Sequence, residues 1–200
     1  MIPTIIMAGG RASRMNYIEK AIIKICGKTM LERVFEAVSD VSNEIYVTIT
    51  EYTPKTKLFC IEKGLKILET SGKGFIEDSK EAMDKINANY SLIVCCDLPF
   101  LCSLTLKEFI EGWIKSFKKA AAIYTTANYL KRIGLYVEGN ENYIPVGVNI
   151  MPNGNEYFEE YMHIIKSIDV LNVNSEYELK FAREICSKQK QNSYHLPKSF

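Results

Sequence analysis

The sequence predicts an α/β fold, with a Rossmann-like, mostly parallel twisted sheet flanked by helices. Short apolar segments rich in β-branched residues alternate with longer stretches that carry apolar residues at helical spacing. Such alternation is typical of parallel strands joined by helical crossovers. Residues 91–96 are apolar at nearly every position, as in a strand that is covered on both faces. A glycine pair also follows the first apolar segment, at the kind of strand end where open α/β sheets bind their ligands.

In the first half of the chain, local signals bound the predicted elements. Thr29 and Glu32 have the spacing of a capping box, which predicts a helix that begins at Met30. Pro54 stands where a first helical residue is expected, because proline suits that position. The predicted elements are strand 4–7, helix 30–39, strand 44–50, helix 54–63, strand 65–68 and strand 91–96.

The second half carries weaker signals. Residues 104–117 have an apolar stripe at helical spacing, which predicts an amphipathic helix. Residues 129–137 are expected to be irregular and partly extended. The remaining predictions are strand 120–126, strand 143–151, helix 156–165, strand 169–172 and helix 176–186.

Length and composition are those of an ordinary globular chain. Its 200 residues, of which 47% are hydrophobic and 24% charged, suffice for one domain. We expect that domain to span residues 1–186, followed by a polar tail over residues 187–200. A net charge of +1 does not indicate a nucleic-acid-binding protein, because such proteins usually carry a strong positive charge. Without a long apolar run or a signal-peptide pattern, we expect no membrane span and a cytoplasmic location. The composition leaves a homodimer open.

The cysteines and histidines indicate no zinc site. The six cysteines include no C-x-x-C pair, and there are two histidines, whereas structural zinc needs four such ligands at close spacing. Cys95 and Cys96 end an apolar run and are interpreted as core thiols.

The turn after the first strand is the leading candidate for an anion site. Gly9 and Gly10 follow the strand, with Arg14 and Lys20 further on. Glycine lets backbone N–H groups, here those of Ala8 to Gly10, approach an anion closely. Neither the G-x-G-x-x-G fingerprint nor the G-x-x-x-x-G-K-[ST] loop is present. A phosphate-holding turn is one interpretation, and an ordinary glycine-rich turn with two surface cations is the other.

A second glycine-containing loop lies between a strand and a helix. It holds Thr70, Ser71, Gly72 and Gly74, with a lysine between the two glycines. Small hydroxyl and glycine residues allow backbone contact to a nucleoside. The alternative is a plain strand-to-helix turn in which Ser71 or Asp78 caps the helix.

Three further residues are candidates for metal or acceptor binding. Asp97 follows the buried strand 91–96, and a carboxylate there suits Mg²⁺ if a phosphate lies nearby. Its alternative is a turn-starting aspartate. Gly147 lies inside a predicted strand, which often marks close approach of a ligand, and Asn149 lies on the same face. A bulge or an edge strand with a satisfied Asn149 is the alternative.

Several motifs resemble known enzymes. The run Met7-Ala8-Gly9-Gly10 with Arg14-Met15 and Glu19-Lys20 resembles the signature loop of the nucleotidyltransferases that activate sugars and cofactors with NTPs. Asp97-Leu98-Pro99-Phe100 and Asn172-Val173-Asn174-Ser175 are similar to later landmarks of that superfamily, including the molybdenum-cofactor guanylyltransferases. Residues 53–57, 70–78 and Pro145-Val146-Gly147-Val148-Asn149 resemble the archaeal-type GTP:adenosylcobinamide-phosphate guanylyltransferases.

The resemblance implies transfer of GMP from GTP to adenosylcobinamide phosphate, a step of cobamide biosynthesis, with Mg²⁺ as cofactor. It implies that the backbone of residues 8–10 and Arg14 hold the departing phosphates and that Lys20 neutralises the α-phosphate. Asp97 would hold the metal with Asn149, residues 70–74 would line the guanosine pocket, and Gly147 would leave room for the acceptor. Two alternatives remain: a guanylyl- or cytidylyltransferase acting on molybdopterin or another phosphorylated acceptor, and a nucleotide-binding module without turnover.

Overall fold

A computed structural model describes residues 2–11, 15, 18–137, 139–154, 156 and 158–194. The strands are β1 (Thr4–Met7), β2 (Lys24–Ile25), β3 (Lys28–Thr29), β4 (Ile45–Ile49), β5 (Lys66–Glu69), β6 (Tyr90–Cys95), β7 (Ala120–Thr126), β8 (Tyr143–Pro152) and β9 (Glu160–Ile164). The helices are α1 (Met30–Ser39), α2 (Pro54–Glu62), α3 (Phe75–Lys85), α4 (Ser103–Ser116), α5 (Ala127–Arg132) and α6 (Glu176–Tyr194).

Seven of the nine described strands form one sheet in the order β5-β4-β1-β6-β8-β7-β9, and β2 and β3 pair with each other in a separate antiparallel hairpin. Strands β5, β4, β1 and β6 are mutually parallel, and β9 is parallel to β7. Strand β8 runs antiparallel to both of its neighbours. The predicted mostly parallel sheet flanked by helices is therefore confirmed.

Helices cover both faces of the sheet. One face packs α1 and α4 on a large apolar cluster that includes Leu31, Val34 and Phe109, and the other packs Met83 of α3. The predicted capping box opens α1: Thr29 accepts the Glu32 amide, and Glu32 accepts the Thr29 amide. None of the helices in the described part of the chain has the length and apolar character that a membrane span requires.

The sequence prediction was wrong for the segment that follows β8. Residues 156–165 were expected to be helical, but Glu160–Ile164 is an edge strand that pairs with β7. Its exposure alternates along the strand, and Tyr161 packs against Gly112 of α4. Pairing with β7 and the tyrosine contact outweigh a weak helical pattern, because strand propensity depends strongly on context.

Three smaller differences lie nearby. Residues 169–172 were expected as a strand, whereas Ile168–Val170 is a 3₁₀ turn. Residues 127–132, most of them expected as irregular structure, form α5, whose amino end is capped by Thr126. The last helix was expected to end at residue 186, but α6 continues to Tyr194. Helix ends and short elements depend on contacts that a local pattern does not contain.

A disulfide joins Cys26 to Cys186, a link that the sequence analysis did not anticipate. Cys26 and Gly27, both with positive φ, form the two-residue turn between β2 and β3, as tight hairpins require. Cys186 lies in α6. The bond therefore ties the N-terminal hairpin to the last helix.

Candidate active site

The ends of β1 and β6 meet where the chain changes direction across the sheet. From β1 the chain runs outward through β4 and β5 and then returns to β6 on the other side of β1. Ligands of open α/β sheets bind at such switch points. Met7 pairs with Cys95, and the Cys96 amide donates to the Met7 carbonyl at 3.2 Å. Residues 8–10 and Asp97 therefore leave the sheet side by side.

The turn after β1 is anchored to the end of β4. The Ala8 amide donates to the hydroxyl of Thr48 at 3.2 Å, and the Thr50 hydroxyl donates to the Gly9 carbonyl at 2.7 Å. A Cβ on Gly9 would lie 2.6 Å from the Thr50 methyl group, whereas a Cβ on Gly10 would have none of the described residues within 4 Å. Gly9 is thus needed for packing, and Gly10 leaves the turn open.

Lys20 lies at the centre of a polar row formed by Lys20, Asp97, Asn172 and Asn174. Its ammonium donates to Asp97 Oδ2 at 2.5 Å and to Asn174 Oδ1 at 2.8 Å. Asn172 Nδ2 lies 3.4 Å from Asp97 Oδ1 and donates to the Val146 carbonyl at 3.1 Å. The row connects the turns after β1 and β6 with the segment before α6.

Burial and neighbouring charges set the protonation of Lys20 and of the two cysteine thiols beside it. Burial of the Lys20 ammonium lowers its pKa, the Asp97 carboxylate raises it, and the net result is a pKa above the ordinary value. Burial also raises the pKa of the neighbouring Cys96 thiol to about 12 and that of Cys95 well above its usual range. The cation is therefore present at neutral pH, and the two thiols are protonated.

The loop between β5 and α3 is shaped by acidic side chains of α3. Asp78 accepts the amides of Gly72 at 2.8 Å and Gly74 at 3.3 Å, and Glu81 accepts the Ser71 amide at 2.8 Å. Gly72 has φ +69°, and a Cβ there would lie 2.8 Å from the Tyr52 ring. Three backbone donors of this loop are thus already bound within the protein.

These parts surround a cleft of about 770 Å³, which we call the central cleft. Its wall brings together most of the residues that the sequence singled out. They are Ala8, Gly9, Gly10, Lys20, Ser71, Gly72, Gly74 and Asp97. Thr70 lines a neighbouring depression instead. Arg14 lies outside the described residues.

Gly147 and Asn149 occupy different places. Gly147 has φ +81°, and a Cβ there would lie 2.7 Å from Cys95 Sγ and 3.9 Å from Asn172 Nδ2, so the residue lies beside the polar row. Asn149 pairs with Ile93, four residues before Asp97 and about 13 Å along the strand at the usual rise per residue. The structure does not bring Asn149 to Asp97, because the strand register separates them.

A second hollow of about 470 Å³, the outer hollow, is lined by Asn172 and Asn174, the other two members of the polar row. Asn172 and Asn174 form its inner edge, and apolar side chains such as Leu135 and Val146 form its wall. The polar row thus contributes side chains to both concave surfaces: Lys20 and Asp97 to the central cleft, and Asn172 and Asn174 to the outer hollow.

The sequence analysis missed four residues of this region. Arg11 and Tyr52 line the central cleft; the Arg11 guanidinium lies 4.1 Å from the centroid of the Tyr52 ring and donates to its hydroxyl. Asn172 and Asn174 were read as landmarks without a role. Two asparagines two residues apart ahead of a helix are a usable signal, but their partners come from segments about 75 and 154 residues away.

The family model described as the MobA-like NTP transferase domain matches residues 4–139. Among curated proteins, the adenosylcobinamide-phosphate guanylyltransferase of Methanocaldococcus jannaschii is 27% identical over 193 residues, which is 92% of this chain and 97% of that protein. A probable molybdenum cofactor guanylyltransferase of Clostridium perfringens is 35% identical over 100 residues, covering 48% of this chain and 46% of the relative.

Solved structures share the fold. The crystal structure of molybdopterin-guanine dinucleotide biosynthesis protein A from Archaeoglobus fulgidus matches with a TM-score of 0.67 at 17% identity. The match covers 94% of this chain and 100% of that one. At this identity the likeness supports the fold alone.

Proposed function

The chain belongs to the MobA-like NTP transferase family, and on that premise we propose that it transfers GMP from GTP to adenosylcobinamide phosphate in cobamide biosynthesis. The observation that carries the reaction class is the partly buried Lys20–Asp97 pair in the wall of the central cleft, which is hydrogen-bonded to Asn172 and Asn174 of the outer hollow. The choice of acceptor is supported by the likeness to the M. jannaschii enzyme over nearly the whole of both chains.

In the proposed reaction, an oxygen of the acceptor phosphate attacks the α-phosphorus of GTP. The new P–O bond forms as the bond from the α-phosphorus to the α,β-bridging oxygen breaks, and pyrophosphate carries away that electron pair. The nucleophile belongs to the substrate, so no serine, cysteine or histidine has to supply one. Catalysis is then alignment and charge neutralisation.

The turn after β1 would hold the leaving group. We assign the backbone of Ala8, Gly9 and Gly10 to the β- and γ-phosphates, because this turn lies open beside Lys20 in the cleft. Arg14 is assigned to the same phosphates by the motif alone. Lys20 would neutralise the charge that develops around the α-phosphate, and its raised pKa keeps the required proton at physiological pH.

Asp97 would hold a Mg²⁺ ion. Within the described residues no group of three or more histidine, cysteine, aspartate or glutamate side chains could hold a metal. One carboxylate beside a triphosphate nevertheless fits Mg²⁺, which commonly takes one or two carboxylates with substrate phosphates and water. When bound, the ion would neutralise phosphate charge and orient the triphosphate.

The two concave surfaces separate the substrates. Ser71, Gly72 and Gly74 would border the guanosine in the central cleft, with Thr70 behind them in the neighbouring depression. The acceptor would approach from the outer hollow, past Gly147 and Asn172. In this arrangement the acceptor oxygen would reach the α-phosphorus from the side opposite the departing pyrophosphate, as an in-line displacement requires.

A second acceptor class is favoured by one observation. The C. perfringens relative, named a probable molybdenum cofactor guanylyltransferase, is 35% identical over 100 residues. Its match covers about half of this chain. A molybdopterin acceptor is therefore the second candidate.

The test is a transfer assay with α-labelled GTP, Mg²⁺ and each acceptor in turn. We expect labelled product and pyrophosphate with adenosylcobinamide phosphate. Labelled product with molybdopterin alone would replace the first acceptor by the second. A thermal-shift panel with GTP, CTP, UTP and ATP tests the nucleotide, and indifference to every nucleotide would contradict the whole proposal. Size-exclusion chromatography of the same sample tests for a homodimer.

A further inference from the structure

Glu19 is a buried carboxylate without a role in the reaction described so far. The residue is 8% exposed to solvent. Oε1 accepts the Lys55 amide at 3.0 Å. Oε2 accepts the Thr56 amide at 2.6 Å and the Thr56 hydroxyl at 2.8 Å. All three donors lie in the first turn of α2.

Among the residues that the structure describes, no other side chain caps the start of helix α2. Its N-cap residue, Thr53, makes no capping hydrogen bond, because the Thr53 hydroxyl is engaged with the backbone of Thr50. The first amides of a helix lack partners inside the helix, and the positive end of the helix dipole favours a negative charge. Glu19 supplies both the acceptors and the charge from a distant segment.

Glu19 also directly precedes Lys20. It is the N-cap of the 3₁₀ turn Lys20–Ile22, so the position of its backbone sets the position of the Lys20 Cα atom. From there, a flexible four-carbon stem carries the ammonium to Asp97 and Asn174.

We propose that Glu19 is a positioning residue for nucleotidyl transfer: by binding the start of α2, it holds the Lys20 ammonium within hydrogen-bond distance of Asp97. The inference rests on the proposed function of Lys20. A lysine that stands on an unanchored loop can reach many positions, and a misplacement of about 1 Å can reduce a rate by about 10²-fold. The anchor acts on the reaction through Lys20 alone.

The primary test compares Glu19→Gln with Glu32→Gln. Glu32 is a matched control, because it also caps a helix, α1, through two hydrogen bonds with Thr29 and does not line the central cleft. We expect Glu19→Gln to lower kcat by about tenfold or more with little change in the KM for GTP. Glu32→Gln should lower thermal stability to a similar degree and leave kcat within about twofold. Equal effects of the two variants on kcat would overturn the proposal.

A double-mutant cycle tests whether Glu19 acts through Lys20. In a Lys20→Ala background, Glu19→Gln should cause no further loss of kcat, because the group that it positions is absent. Residues that act as one unit show such non-additivity. Independent, multiplying losses would mean that Glu19 serves only to stabilise the fold, and the proposal would be wrong.

A milder variant and a direct measurement keep the test informative if Glu19→Gln does not fold. Thr56→Val removes one of the three donors and should lower kcat in the same direction by a smaller factor. Acetylation of Lys20 by acetic anhydride, read by mass spectrometry, needs no turnover. We expect Lys20 to react slowly in the unaltered protein and faster in the variants, whereas the exposed Lys28 should not change.

The labelling result separates the two ideas. If no acceptor takes GMP but Lys20 labelling still rises in the Glu19 and Thr56 variants, the proposed function fails while the anchor is real. If transfer occurs and neither kcat nor labelling responds, the anchor fails and the proposed function stands.

Discussion

The N-terminal and C-terminal halves of the sheet contribute to the site in different ways. Strands β1, β4, β5 and β6 are parallel, and their loops carry the residues that line the central cleft. In the other half, β8 is antiparallel to its neighbours, and Gly147 lies in the interior of that strand. Asn172 and Asn174 come from irregular chain after a 3₁₀ turn.

This difference shows which site residues can be recognised from the local sequence. Parallel strands end at one edge, so a glycine pair or an aspartate after a buried strand already indicates a ligand site. A residue inside an antiparallel strand, or an asparagine in irregular chain, has no such marker. Five measurements test this division.

The largest effect should come from Lys20→Ala, which removes the cation between the two halves. We expect turnover to fall by about 10²–10³-fold with the fold retained, as for the loss of a preorganised charge-stabilising donor. Initial rates with labelled GTP measure it. Lys28→Ala, at an exposed ion pair with Glu36, is the control. Near-normal turnover in Lys20→Ala would refute the assignment.

Reduction of the Cys26–Cys186 disulfide tests the covalent link between the hairpin of the N-terminal half and α6. The bond spans 160 residues, and we expect its loss to lower the free energy of unfolding by about 2–4 kcal/mol. Urea denaturation with and without dithiothreitol measures the change. A Cys26→Ala, Cys186→Ala double variant should not respond to the reductant. Equal stability of the reduced and oxidised protein would contradict the prediction.

Asp97→Asn tests whether the carboxylate that follows β6 holds the metal ion. The half-saturating Mg²⁺ concentration should rise by about tenfold or more, on the scale at which groups around a metal change its affinity. A magnesium titration of turnover measures it, with Asp84→Asn, at a surface contact with Asn153, as control. An unchanged metal requirement would mean that another group holds the ion.

Gly147→Ala probes the C-terminal half against a matched glycine. Gly147 and Gly139 have φ of +81° and +85°; among the described residues, a Cβ at Gly147 would meet Cys95 and a Cβ at Gly139 would meet none. Both substitutions should cost about 1–2 kcal/mol for the left-handed backbone. Gly147→Ala should in addition raise the KM for the acceptor while GTP still shifts the melting temperature. An acceptor KM equal to that of Gly139→Ala would remove Gly147 from the acceptor side.

The smallest effect concerns the thiols where the halves join. Burial raises the pKa of Cys96 to about 12 and that of Cys95 well above the usual value. A raised pKa keeps a thiol protonated, so the reactive thiolate forms only at strongly alkaline pH. Iodoacetamide at pH 8 should therefore modify the exposed Cys102 and spare both until the protein is denatured. Rapid native labelling of Cys96, which is buried directly after β6, would contradict the prediction.

Asp97 and Asn149 show how much of the candidate site can be predicted from the sequence. The sequence analysis makes a Mg²⁺ site at Asp97 conditional on a nearby phosphate, and the pairing of β1 with β6 brings Asp97 beside the turn that is the candidate phosphate site. Asn149 was chosen because it shares a face with Gly147, but the register places it opposite Ile93. Face is a local property with a period of two residues, whereas register depends on the partner strand.

By itself, the sequence determined the fold class, the family resemblance and the turns that border the central cleft, because these depend on hydrophobic periodicity and on glycines near strand ends. Only the tertiary structure decided that β9 is an edge strand, that Asn172 and Asn174 join Lys20 and Asp97, and that Glu19 caps α2. Each of these is a contact between segments far apart in the chain. The physical reason is that a side chain's partner is chosen by packing, and packing exists only once the sheet has assembled.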